Sequence, residues 1–119
     1  MEKLSFNRVE LLGRAGMDAK VIETEGKRVA RFTFATNEPY HDKNKQIKEE
    51  TTWHNVSVWE GQNVIPLEEI KKGKYLYISG TIRNTKYTTA EGEKRSFIEI
   101  RALKITPGEE VEKTMGSIV

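Results

Sequence analysis

A chain of 119 residues with a net charge of +2 is long enough for one ordinary domain and too short for two. Its hydrophobic content of 36% supports one modest core, and no apolar run of about 18 residues is present, so neither a transmembrane helix nor a membrane partner is expected. The chain has no cysteine and no apolar segment typical of a secretory signal, which excludes disulfides and thiolate metal sites and is consistent with a reducing cytoplasm.

The N-terminal half of the chain shows the period of two that is typical of β-strands. A first strand is predicted over Asn7–Gly13 and resumes over Lys20–Thr24 after an interruption. A second strand is predicted over Arg28–Thr36, and the polar segment Asn37–Glu50 is interpreted as a long exposed hairpin loop. The third strand is predicted over Thr51–Trp59.

The segment after the third strand breaks this alternation. Between Gln62 and Gly73, the apolar residues Val64, Leu67 and Ile70 recur at every third position. A pair of lysines followed by glycine is a typical helix ending. The pattern therefore predicts a short helix of about two turns.

Two long strands complete the pattern. The fourth is predicted over Lys74–Thr88, where Gly80 indicates a bend or bulge, and the fifth over Lys94–Ile105. Regular structure is expected to end at Pro107–Gly108. The predicted fold is all-β, a five-stranded Greek-key barrel of the oligonucleotide-binding (OB) kind with one short helix between strands 3 and 4. We expect this domain to span residues 1–106 and a short polar tail to span residues 107–119.

The third strand places its two tryptophans opposite its valines. Val56 and Val58 share a face with His54, whereas Trp53 and Trp59 share the other face. If the valines face the core, both indoles face outward, and each forgoes about 1.5–3 kcal/mol of burial. Something should cover them, and the pattern is consistent with either stacked bases or a partner subunit.

The fourth strand repeats the pattern within a basic stretch. Its outward positions are Tyr75, Tyr77, Arg83 and Tyr87. From Lys71 to Lys104, nine Lys or Arg residues occur against three Glu. Aromatic rings interleaved with cations are typical of surfaces that bind single-stranded nucleic acid. A solvated strand surface would give the same charge pattern.

Four stretches of the chain resemble the bacterial single-stranded-DNA-binding protein family. They are Asn7–Gly13, Phe32–Glu38, Lys48–Val56 and Lys72–Arg83, in the family's order and with nearly its spacing. The resemblance implies binding of single-stranded DNA without strong sequence preference, which protects the DNA during replication, recombination and repair. It also implies a homotetramer and a cytoplasmic, nucleoid-associated location.

The resemblance assigns site residues by position. The aromatic residues implied to stack on bases are Tyr40, Trp53, Trp59 and Tyr87. The cations implied to contact phosphates are Lys43, Lys72, Arg83, Lys86 and Arg95. His54 matches a histidine that the family places at a subunit contact.

The chain also departs from the family's pattern. Asn55 stands where a basic residue is common, Glu60–Gly61 replaces the usual Gly-Lys, and Asp18–Ala19 replaces Asp-Pro. The family continues into a flexible tail with an acidic tip, whereas this sequence stops at Val119, so recruitment of replication or repair proteins is not expected. A truncated chain and a naturally short, mobile-element-like form both remain open.

Two alternatives belong to other functional classes. An enzyme is not expected, because His41 and His54 have no metal-ligand spacing and no Gly-rich phosphate loop or nucleophile motif is present. No metal or cofactor is therefore expected. A related barrel that serves as a primosome-like accessory protein or binds RNA would share the fold and the aromatic residues.

Overall fold

The computed structural model of the protein describes residues 3–118, and for residues 115–118 it describes the backbone alone. Within residues 3–118 there are six strands: β1 (Val9–Ala15), β2 (Lys20–Thr24), β3 (Lys27–His41), β4 (Ile47–Trp59), β5 (Tyr75–Thr88) and β6 (Lys94–Pro107). One 3-10 turn, Leu67–Glu69, lies between β4 and β5, and one α-helix, α1 (Gly108–Ile118), follows β6. No helix in the described part of the chain is long and apolar enough to cross a membrane.

The sheet closes into a barrel through β1. The strand order is β1-β5-β6-β4-β3-β2, and the end of β1 also pairs with β3, where Arg14 lies opposite Ala35. A Cβ at Gly13 would lie 2.1 Å from the carbonyl oxygen of Ala35, so this close approach requires glycine. Strands β1, β5, β6, β4 and β3 thus form a closed five-stranded barrel, and β2 extends the edge of β3. This confirms the predicted all-β barrel, in which β1 and β2 are the two parts of the interrupted first strand.

The alternating apolar residues of the strands fill the barrel. Its fully buried large side chains are Phe34, Leu67, Ile70, Leu76, Ile78, Ile105, Val56 and Val58. Burial of apolar area at about 25 cal/mol per Å² is the main stabilising contribution in such a core. Because side chains alternate along each strand, the same pattern fixes which residues point outward.

The bend predicted at Gly80 is confirmed. The β5–β6 register shifts there, since Ser79 pairs with Lys104 and Gly80 pairs with Ala102. Leu103 is therefore an extra residue on β6, as in a β-bulge. A Cβ at Gly80 would lie 2.0 Å from the carbonyl oxygen of Arg101, so the strands can approach this closely only at a glycine.

The prediction of a short helix between strands 3 and 4 is wrong, because the α-helix lies elsewhere in the chain. That segment forms only the 3-10 turn, and its first part is tied to β6, because Ile105 N–H donates to Asn63 O (3.0 Å) and Ile65 N–H donates to Ile105 O (3.1 Å). Too few residues remain for an α-helix. The apolar spacing of three fits a 3-10 turn, in which residues i and i+3 share a face, and Leu67 and Ile70 are indeed both buried.

The α-helix lies instead at the C-terminal end, where an irregular tail was expected. Helix α1 begins at Gly108, and Glu109 and Glu110 occupy its first turn, where acidic residues stabilise the positive end of the helix dipole. The ring of Tyr75 packs against Gly108, since a Cβ there would lie 2.6 Å from the ring. This contact fixes the start of the helix on β5.

The long loop predicted over Asn37–Glu50 is mostly strand. Strands β3 and β4 extend into it and pair as far as His41 opposite Ile47. The remaining turn is organised by Asp42, whose Oδ1 accepts hydrogen bonds from the N–H groups of Asn44 (2.9 Å) and Gln46 (2.9 Å). The two strands project beyond the barrel with both faces in solvent, so no apolar alternation marks them.

Candidate functional site

Both tryptophans of β4 lie on the outside of the barrel. Trp53 is 62% exposed and Trp59 is 42% exposed, whereas Val56 and Val58 are buried. This confirms the orientation predicted from alternation. Two large aromatic rings are thus presented to solvent on one face of one strand.

Trp53 rests on glycine. A Cβ at Gly16 would lie 2.5 Å from the indole and 2.7 Å from Thr33 Oγ1. The backbone is fixed there, because Gly16 N–H donates to Thr33 O at 2.8 Å. Gly16 therefore gives the indole a support without a side chain, and most of the ring remains accessible.

Trp59 lies beside a charged cluster that we call the Arg28 cluster, formed by Arg28, Glu60 and Glu68. Arg28 Nη1 is 2.6 Å from Glu60 Oε2, and Arg28 Nη2 donates to Glu68 Oε1. Trp59, Arg28 and Glu60 line one shallow surface groove. The hydrogen bond with Glu68 raises the pKa of Arg28 and lowers the pKa of Glu68. Two carboxylates on one guanidinium give the Arg28 cluster itself a net negative charge, and Lys27 also lines the groove.

The β3–β4 hairpin carries two of the predicted site residues. Tyr40 is exposed near the end of β3 and pairs with Lys48 across the hairpin. Lys43 is exposed in the turn at the tip. The hairpin extends β4 beyond Trp53, so it continues the surface on which Trp53 lies.

The β5–β6 hairpin carries four more of the predicted site residues. Tyr87 is exposed and contacts the ring of Phe97 edge to face, with 5.9 Å between ring centroids. Arg95 pairs with Tyr87 and forms an ion pair with Glu93 at 2.9 Å. Arg83 lies four residues before Tyr87 and shares its face, whereas Lys86 lies on the opposite face. Three of the four therefore lie on one side of this hairpin.

Lys72 and His54 lie apart from the aromatic residues of the hairpins. Lys72 is exposed before β5, where its backbone N–H donates to Asp18 Oδ1 at 2.9 Å. His54 faces inward beside Phe34, with Nε2 2.9 Å from Thr36 Oγ1, and burial lowers its pKa. Within the described residues, no three His, Cys, Asp or Glu side chains converge as metal ligands.

Two other outward tyrosines already have intramolecular partners. The hydroxyl of Tyr77 donates to Glu10, and that hydrogen bond raises the pKa of Tyr77. The guanidinium of Arg14 lies 5.1 Å above the ring of Tyr75, whose other surroundings include Gly108 of α1. Their rings are therefore less available to a ligand than those of Trp53 and Tyr87.

A row of residues on the outer face at the middle of the sheet was not predicted from the sequence. Arg31 pairs with Ser57, Ser57 with Arg101, and Arg101 with Thr81, so this row crosses β3, β4, β6 and β5. Phe97 and Glu99 lie on the same side of β6 as Arg101. Their alternation with the buried Ile100 and Ala102 was the available signal, and it was applied to β4 and β5 but not to β6.

Comparisons with known proteins agree on one family. Residues 6–107 match the family described as the single-strand binding protein family. The chain is 36% identical over 100 residues to the single-stranded DNA-binding proteins of two Neisseria meningitidis strains, serogroups A and B, covering 83% of this chain and 58% of each relative. The chain thus spans little more than half of those relatives.

A mitochondrial relative and a solved structure extend this likeness. The chain is 33% identical over 106 residues to the mitochondrial single-stranded DNA-binding protein of Oryctolagus cuniculus, covering 82% of this chain and 72% of that relative. Its fold is similar to that of Plasmodium falciparum SSB in a complex with ssDNA, with a TM-score of 0.70 and 28% identity over 89% of this chain and 96% of that one.

Proposed function

The chain belongs to the single-strand binding protein family, and from that premise we propose that it binds single-stranded DNA without strong sequence preference. Bases stack on Tyr40, Trp53, Trp59 and Tyr87, and basic side chains neutralise the phosphates between them. In this role the protein protects exposed strands during replication, recombination and repair. It acts by binding alone, without catalysis, cofactor or metal.

The observation that carries the proposal is the exposure of Trp53. The Trp53 indole is 62% exposed, lies on a β-strand and packs against Gly16. It is therefore accessible to a planar ligand that stacks on it. A base has a π-face whatever its identity, and stacking contributes about 1–3 kcal/mol per base. The solved complex of the Plasmodium falciparum protein with ssDNA supports the same class of ligand.

The proposed phosphate contacts differ in how free their cations are. Lys43, Arg83 and Lys86 are exposed and have no ion pair within residues 3–114. Arg95 must exchange Glu93 for a phosphate, and Lys72 lies next to Asp18, which accepts a hydrogen bond from its backbone N–H and pairs with the ammonium of Lys71. We therefore expect Lys43 and Arg83 to contribute more than Arg95.

The same chemistry disfavours duplex DNA. The bases of a duplex are already stacked and cannot reach the indoles, and a net charge of +2 gives little non-specific attraction. Single strands offer both unpaired base rings and phosphates to the protein. Binding should therefore discriminate mainly by strandedness, without a strong preference for sequence.

Assembly and location are also part of the proposal. We place the DNA-binding domain at residues 1–106, with residues 107–119 outside it, and a homotetramer with His54 near a subunit contact. The family resemblance supports the tetramer. The proposed location is cytoplasmic and nucleoid-associated.

Intrinsic tryptophan fluorescence, titrated with equal-length single-stranded DNA, single-stranded RNA and duplex DNA, tests the proposal. We expect strong quenching by single-stranded DNA and little by duplex, because only unpaired bases stack on Trp53 and Trp59. Absence of quenching by single-stranded DNA would refute the proposal. Equal or tighter binding of RNA would instead favour an RNA-binding role.

A further inference from the structure

A small cleft opens on the outer face of the sheet, between the hairpins. We call it the Glu99 cleft, and it is lined by Lys20, Arg31, Thr33, Asn55, Phe97 and Glu99. The strand register explains the grouping, because Thr33 pairs with Asn55, and Val56 with Ile100, which brings Asn55 beside Glu99. The cleft measures about 180 Å³. That is smaller than the roughly 300–1,000 Å³ typical of pockets for drug-sized ligands, so it suits one small group.

Glu99 is the unusual member of this lining. It is only 4% exposed, although it lies on the outer side of β6 among cations. Its Oε1 accepts a hydrogen bond from the hydroxyl of Thr85 at 2.7 Å. Its Oε2 has neither a hydrogen bond nor an ion pair from any residue between positions 3 and 114. A carboxylate oxygen accepts hydrogen bonds, so Oε2 is available to a donor that enters the cleft.

We propose, on the basis of the proposed function, that the Glu99 cleft receives one base of the bound strand and favours bases that carry an exocyclic amine. Glu99 Oε2 accepts a hydrogen from that amine, as glutamate does from cytosine N4 in other complexes. Phe97 lies in the same cleft and offers a ring to the base. Lys20 and Arg31 lie close enough to neutralise the adjoining phosphate.

The chemistry of the bases gives the preference its direction. Cytosine, adenine and guanine each present an amine whose hydrogens can point at a carboxylate. Thymine presents one N–H, at N3, between two carbonyl oxygens that a carboxylate repels. The general stacking surfaces do not distinguish cytosine from thymine, so any difference should arise where a side chain meets the base edge.

The variant Glu99→Gln tests this contact because it is nearly isosteric. Its amide oxygen can still accept from Thr85, and its NH2 then donates into the cleft, where thymine O4 is an acceptor and a cytosine amine is not. The measurement is the ratio of the affinities for equal-length oligo-dC and oligo-dT. We expect this ratio to fall about fivefold or more in the variant. The matched control is Glu25→Gln, which removes the same charge from an exposed turn and should leave the ratio unchanged.

A second measurement uses the wild-type protein alone, so it stands even if Glu99→Gln does not fold. Oligo-dC is compared with an oligomer of the same length in which hydrogen replaces each N4 amino group. We expect weaker binding of the amine-free strand. Equal binding of the two strands, or an unchanged dC-to-dT ratio in a folded Glu99→Gln protein, would overturn the inference while leaving the proposed function intact. Failure of the wild-type protein to bind any of these strands would refute the proposed function itself.

Discussion

Trp53 and Trp59 lie six residues apart on the same face of β4, yet their immediate surroundings differ. Trp53 rests on Gly16, and its strand continues into the hairpin that carries Tyr40 and Lys43. Trp59 is less exposed and lies beside the Arg28 cluster, whose carboxylates outnumber its cation. Alternation along β4 decides that both rings point outward, whereas residues from other segments decide what each ring can attract.

This difference predicts unequal roles for two rings that look equivalent in sequence. A base stacked on Trp59 brings its phosphates toward Glu60 and Glu68, which repel them. The Trp53 ring packs instead against Gly16, which carries no charge. We therefore place the stronger stacking contact at Trp53.

The largest expected effect comes from removing the Trp53 ring. Trp53→Ala should weaken binding to single-stranded oligo-pyrimidine by about 1–3 kcal/mol, because one stacked base is lost. Trp59→Ala should weaken it less. Fluorescence anisotropy with labelled DNA measures both affinities. Thermal unfolding checks that each substitution, at an exposed position, leaves the fold intact. An equal loss in the two variants would contradict the comparison, and an unchanged affinity in Trp53→Ala would remove that ring from the site.

The next effect concerns the charge beside Trp59. Glu60→Gln leaves Arg28 with one carboxylate, so the cluster becomes neutral and should repel phosphate less. We expect a two- to threefold gain in affinity at low salt that disappears as salt is raised, since the groups are exposed and screened. The control is Glu69→Gln, which removes an exposed glutamate from the same region without breaking an ion pair. A gain of the same size in Glu69→Gln would show that overall charge, and not the Arg28 cluster, sets the difference.

A smaller effect should separate the two faces of the β5–β6 hairpin. Arg83 shares a face with Tyr87, so Arg83→Ala should lower the slope of log affinity against log salt by about 0.7, the loss of one phosphate contact on a single strand. Lys86 lies on the opposite face, and Lys86→Ala lowers the slope by the same amount only if DNA contacts both faces. Titrations over a range of salt concentrations measure both slopes. An unaltered slope in Arg83→Ala would exclude that residue from the phosphate contacts.

The barrel and the direction of its rings could be predicted because both follow from alternation along buried strands. The alternation of Val56 and Val58 with Trp53 and Trp59 survives in the structure because the core fixes one face of β4. The residues beyond the barrel carry no such signal. The hairpin over Asn37–Glu50 is held by backbone pairing with both faces in solvent, so its side chains do not alternate.

The site was harder to predict where it depends on pairing between distant strands. The sequence places Glu60 directly after Trp59, but the contact of Glu60 with Arg28 joins residues 32 positions apart. The Glu99 cleft likewise exists only because β4 and β6 pair in parallel across the closed barrel. Helix α1 was not predicted, although the acidic residues of its first turn are visible in the sequence. Pro107–Gly108 was interpreted as the end of regular structure and not as the start of a helix.

The smallest expected effect concerns His54, which follows Trp53 on β4 and points to the opposite, inward face of the strand. Burial lowers the pKa of His54 from its ordinary value of 6.5, with a smaller opposing effect of Glu38. Below about pH 6.5 the unfolded chain takes up a proton that the folded chain does not, so the free energy of unfolding should fall as pH drops from that value toward the lowered pKa. Urea unfolding of the wild type and of His54→Asn should diverge in this window, with the flatter profile in the variant. His41 is present in both proteins, so its contribution cancels when the two profiles are compared. Parallel profiles would show that folding does not favour the neutral form of His54. The expected effect is modest because the ring is only partly buried.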